Sequence, residues 1–137
     1  MHEIEVITFN NYKIGLYILP IYSSKIVFMY YRDYEGYKRC LDYCSDIGLE
    51  VEDLKDNSWY ICYGWMVKTE KNFHIVCLNL SGEGYFNYLN NTISHENYHL
   101  VQSISKHHGL SFTSKNDNEH IAYLIGYLSQ ELTKFVK

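Results

Sequence analysis

Residues 3–9 alternate between polar and apolar positions, with Ile4 and Val6 on one side and Phe9 less cleanly in step, which predicts a strand. Residues 12–19 and 24–31 are apolar, β-branched and aromatic, and predict two further strands around a turn at Pro20–Ser23. Over 33–47 the spacing becomes helical through Tyr37, Leu41 and Cys44, and Gly48 stands where such a helix would stop. Residues 58–69 and 72–80 return to strand composition, and Glu70-Lys71 between them suggests a hairpin without the Asn-Gly chemistry of the tightest turns. After a break at Ser81–Gly84 the period is 3.6 from about 85 to 108, ending at Gly109, and a last helix is expected over 116–135. Strands come first and long helices last. That order predicts an α+β fold, with helices packed on an antiparallel sheet.

A chain of 137 residues makes one domain, here 1–84 mainly sheet with one helix and 85–137 helical. Its 12 Lys+Arg against 16 Asp+Glu provide no basic face, which argues against a nucleic-acid partner. No apolar run approaches the roughly 20 residues of a membrane span, and the start of the chain has no basic segment leading into an apolar one. The expectation is a cytoplasmic protein with no membrane partner. In that compartment Cys40, Cys44, Cys62 and Cys77 are expected as reduced, mostly buried thiols. Tyr occurs 15 times and Ala once, at Ala122, a bias that AT-rich codons explain.

The segment that carries chemistry is His95-Glu96-Asn97-Tyr98-His99. Histidines at i and i+4 stack on one face of a helix, so both imidazoles can reach one Zn²⁺. Glu96 lies about 100° around the helix, placed to take a proton from a metal-bound water. On the helical wheel Ile93, Leu100 and Ile104 share an arc with Val101 at its margin, while His95, His99, Gln102 and Lys106 fall opposite. The histidines should therefore face a groove instead of the core. Two plainer readings are core histidines satisfied by hydrogen bonds and a solvated polar face.

A catalytic zinc site needs a third protein ligand. Asp117, Glu119 and His120 cluster about 20 residues after His99. Glu119 is favoured because Ala122, Tyr123 and Gly126 follow on its face, and small residues would let two helices approach closely; His120 is the runner-up. His107 and His108 belong near a helix end, where the dipole favours them. Gln102 and Ser105 stand where the longer H-E-x-x-H-x-x-G-x-x-H pattern needs Gly and His, so that pattern fails. Tyr123, His120, Tyr98 and His74 are the candidates for stabilising an oxyanion.

Residues 92–102 and 118–128 together resemble the zincin metallopeptidases that use two His and a Glu (gluzincin-like). They look like small H-E-x-x-H proteins of tailed bacteriophages and their hosts, and more loosely like ImmA/IrrE-type peptidases. The likeness spans about 85–136. It implies a zincin-like fold, zinc held by His95, His99 and Glu119, Glu96 as general base, and a peptide or protein substrate. It also implies a strand before the active-site helix, here 72–80, whose free edge binds peptide. A phage protein of this kind would work in the host cytoplasm or in the virion. The alternative function is a non-catalytic zincin-fold protein that binds metal or a partner protein.

Overall fold

The computed structural model describes residues 1–53, 58–68, 72–112 and 114–137. β1 (His2–Thr8), β2 (Tyr12–Leu19) and β3 (Ser24–Tyr31) form an antiparallel meander, as their sequence pattern predicts. α1 (Tyr34–Asp46) begins at Asp33, whose carboxylate accepts from the Gly36 N–H at 2.7 Å. It ends at Gly48, which takes φ +82, as the later Gly109 takes φ +71. Both are left-handed helix stops that a Cβ would strain.

Residues 58–69 do not form one strand. Ser58–Ile61 is a helical turn, α2, and β4 runs only over Gly64–Lys68. Tertiary hydrogen bonds override the strand-forming composition here. The Asn79 side-chain amide donates to the carbonyls of Trp59, Tyr60 and Cys62 at 3.0, 3.0 and 2.6 Å, and the Tyr31 hydroxyl donates to Trp59 O at 2.5 Å. Carbonyls gathered onto one buried donor cannot alternate sides as a strand requires.

β4 pairs antiparallel with β5 (Phe73–Asn79), as the expected hairpin would, although its turn at Glu70-Lys71 lies outside the described residues. β5 in turn lies parallel to β3, from Lys25 opposite Phe73 to Tyr31 opposite Asn79. The sheet order is β1-β2-β3-β5-β4. The expected antiparallel sheet is therefore mixed. The chain passes through α1 and α2 into β4 at the finishing end of β3, and β4 then carries it back to the starting end, so the long connection that a parallel pair needs is made before β5 begins. It also corrects the expectation for 72–80. β5 is paired on both edges, and β4 carries the free edge.

Helices cover both faces of the sheet. Val27, Met29, Tyr31, Ile75 and Cys77 pack under α1 with Tyr37, Cys40 and Cys44. Ile26, Phe28, Val76 and Leu78 face the opposite layer. This double burial explains why β3 and β5 read as unbroken apolar runs. The opposite layer is α4 (Leu89–His107) and α5 (Asn118–Val136). Ile93, Leu100 and Ile104 of α4 are buried with Ile121, Leu124, Leu128 and Phe135 of α5. The single helix expected from 85 is two, because α3 (Glu83–Asn87) ends at Tyr88, φ −96 and ψ 15, which also opens α4. The break lets Tyr85 reach Tyr63, ring centroids 4.8 Å apart, while Leu89 and Ile93 bury in the core.

Candidate functional site

α4 lies across the sheet at its β4 edge. Gly64 makes the approach possible, since a Cβ there would sit 3.0 Å from Cys77 O and 3.2 Å from both Glu96 Cγ and Thr92 Cγ2. Glu96 is only 5% exposed, and burial pushes its carboxyl above the usual range, with His95 and His99 pulling the other way. A raised carboxyl pKa in a cleft suits a group that takes up and returns a proton.

The two histidines stand on the open side of the same helix. Their Nε2 atoms are 3.2 Å apart, and His95 Nε2 is 4.0 Å from Glu96 Oε1. Two nitrogens bound to one tetrahedral Zn²⁺ at about 2.0–2.1 Å would lie about 3.3 Å apart, so the pair has the spacing of two ligands of one ion. The same distance also suits an Nε2–H···Nε2 hydrogen bond if one ring donates.

Beside the pair a cleft of about 570 Å³ opens, lined by Tyr63, Gly64, Tyr88, Asn91, Thr92, His95 and Glu96. Neither protein-family models nor curated proteins nor solved structures give a match to this chain. What the site can do thus rests on its own residues.

The third ligand is where geometry and sequence part. Among the described residues no three His, Cys, Asp or Glu side chains come together closely enough to hold an ion. Glu119 and His120 are exposed in the first turn of α5. The Asn97 amide donates to Ile125 O at 3.0 Å, which fixes the side on which α5 meets α4. Asn97 lies about 200° around the helix from His95. α5 thus packs on the face of α4 turned away from the histidine pair. The helices meet through Asn97, Ile121, Leu124 and Leu128, not through the small residues. Ala122 is exposed, and a Cβ added at Gly126 would meet nothing within 4 Å. That corrects the expected close approach at Ala122 and Gly126.

The oxyanion candidates also lie outside the cleft lining. Tyr123 is 60% exposed and stacks on Tyr127 at 5.8 Å. Tyr98 packs on Phe112 at 5.9 Å. His74 is 1% exposed at the other end of α4, bonded to Ser103 Oγ at 2.8 Å and Asn72 Oδ1 at 2.9 Å. The polar groups that do line the cleft are Tyr63, Tyr88, Asn91 and Thr92. Three of these were open to a reading of the sequence. Tyr88, Asn91, Thr92 and His95 fall at i, i+3, i+4 and i+7 on one helix face. Tyr63 comes from a remote segment, and no local pattern marks it.

Proposed function

We propose that this protein is a zinc-dependent peptidase in which His95 and His99 hold the ion and Glu96 is the general base. The observation that carries this reading is the 3.2 Å separation of the two Nε2 atoms beside a buried carboxylate in an open cleft. The chemistry zinc supplies when bound is Lewis acidity towards water and carbonyl oxygen. Glu96 takes the proton from the attacking water and delivers it to the leaving amine. Its burial raises the carboxyl's affinity for the proton, which supports its role as the acceptor. β4 borders no further strand on its outer edge among the described residues, and an extended substrate would pair there. Glu119 is the third ligand that the resemblance puts forward, with His120 second.

A second reading has the same fold acting as a non-catalytic metal-binding or interaction protein. It is favoured by the separation of Glu119 from the histidine pair. Metal analysis of protein purified without chelator decides between a zinc site and a mere histidine–histidine contact. One zinc per chain, lost in His95→Ala, is the expected result. Equal metal content in both proteins would remove the site. Glu119→Gln and His120→Ala then report the third ligand by their zinc affinity.

A further inference from the structure

The cleft has two unlike ends. His95 and Glu96 stand at one, and tyrosines at the other. Tyr88 precedes His95 by seven residues on α4, about 10 Å along the helix axis. Tyr63 lies against both Tyr85, at 4.8 Å and 62°, and Tyr88, at 6.0 Å and 80°. Tyr60 continues the wall against Tyr85 at 6.0 Å and 74°. Tyr60, Tyr63 and Tyr88 are each about half exposed, at 51%, 49% and 55%. No lysine or arginine lines the cleft among the described residues, and its only carboxylate is Glu96 at the far end.

These features restrict what the tyrosine end can take. With no basic group among the described lining residues, a phosphate or carboxylate is disfavoured. The steep angles between the rings leave no touching pair of them coplanar, so a run of sugar rings or bases finds no continuous platform. The rings meet edge to face, so no touching pair of them stands parallel to sandwich a cation. A neutral side chain packed edge-to-face on the wall satisfies all three conditions. Asn91 stands between the two ends, three residues after Tyr88 and four before His95, where its amide can pair with a peptide backbone passing over it.

We propose that the tyrosine wall of Tyr63, Tyr85 and Tyr88 binds an aromatic or apolar side chain of a peptide laid along the cleft. At about 3.3 Å per residue of extended chain, 10 Å places that side chain about three residues from the bond at His95 and Glu96. The proposal rests on the peptidase reading for its spacing, but its binding test does not need cleavage.

The test uses the full-length chain with zinc and Glu96→Gln to stop turnover. The probes are blocked Gly/Ser decapeptides carrying one Phe, one Lys or neither, together with a chitin hexasaccharide. Dissociation constants come from NMR titration. The Phe peptide should bind at least fivefold more tightly than the plain one. Tyr88→Asn should abolish that gain and Tyr88→Phe should keep it. Asn is a favoured residue at the start of a helix, so the first variant leaves the start of α4 compatible with its fold. Equal binding of the Phe and plain peptides overturns the proposal, as does an undiminished gain in Tyr88→Asn. Tighter binding of the Lys peptide or the hexasaccharide overturns it too. With the wild-type chain, cuts should fall two to four residues from the Phe, and cuts adjacent to it would overturn the spacing. If nothing is cut while the Tyr88-dependent gain persists, the peptidase reading fails and the binding site stands.

Discussion

Two histidine groups stand beside α4, one on the helix at the cleft and one on β5 against Ser103 near the helix's last turns, and they differ in almost every physical respect. At the cleft, His95 is exposed, its Nε2 lies 3.2 Å from His99 Nε2, and Glu96 Oε1 is 4.0 Å from His95 Nε2. At the other end His74 is enclosed, and each nitrogen has a partner. The Asn72 amide nitrogen donates to Tyr22 O, so its Oδ1 faces His74 Nε2 and the Ser24 hydroxyl. Neutral His74 therefore carries its proton on Nε2, and its Nδ1 accepts from the Ser103 hydroxyl. Ser24 also meets His108 Nε2 at 3.2 Å, which ties the end of α4 to the start of β3. One histidine group is enclosed and bonded by the fold, and the other stands on an exposed helix face beside a cleft. A residue type alone does not mark a candidate site; its surroundings do.

The largest expected effect tests the open end. Glu96→Gln should lower the rate of peptide cleavage by about 10²–10⁴-fold or more while zinc content stays at the wild-type level. Stability should not fall, because burial already disfavours the ionised carboxylate in the folded state. A variant that still cleaves a validated substrate at the wild-type rate would remove Glu96 from the mechanism.

The saturated end should respond in stability and in its pH dependence. Burial, followed by the nearby charges of His107 and His108, lowers the His74 pKa from 6.5 to about 4. As pH falls, the unfolded chain takes up this proton first. The stability gained from neutral His74 is thus complete above about pH 6.5 and is lost as pH falls from there to about 4, amounting to roughly 3 kcal/mol. His74→Ala should cost about 2–3 kcal/mol at pH 7, through a lost hydrogen-bond pair and a cavity. Denaturant titrations of both proteins at pH 7 and 4.5 should show that cost shrinking at the lower pH. A cost independent of pH would mean that His74 is not held neutral.

Much of this arrangement could be read from periodicity. The first three strands, α1, α4 and α5 follow from local patterns, as does the placement of His95 and His99 away from the apolar stripe of Ile93, Leu100 and Ile104. The remainder depends on contacts between distant residues. Asn79 reshapes 58–62, the crossover puts β5 inside the sheet, and Asn97 fixes the side on which α5 packs. The small residues Ala122 and Gly126 suggested a helix contact, but a lack of side-chain bulk is equally at home on an exposed face. For the same reason Glu119 looked like a partner of the histidines although its helix meets α4 on another side.

A smaller change probes how the strand positions the base. Gly64→Ala would bring a methyl group to 3.2 Å from Glu96 Cγ and 3.0 Å from the Cys77 carbonyl, and the backbone carbonyl can yield little. The expected cost is about 1–2 kcal/mol of stability, from overpacking. The turnover number should fall with KM little changed, because the carboxylate moves and the tyrosine wall does not. A fall in affinity alone would place the effect on substrate binding instead.

Ala122→Leu should have the smallest effect, and it separates two accounts of the metal site. Close helix packing around Glu119 would make a leucine there force α4 and α5 apart and weaken zinc binding. In the observed arrangement Ala122 is exposed, and the core side of α5 is formed by Ile121, Leu124 and Leu128. Leucine is also a good helix former, so stability should change by less than about 0.5 kcal/mol. Zinc affinity should match the wild type and equal that of a leucine placed at Gln130, another exposed position of α5. Weaker zinc binding in Ala122→Leu alone would show that the metal-bound protein brings the Glu119 face of α5 to the histidines. It would then be α5, and not the pair on α4, that metal binding has to move.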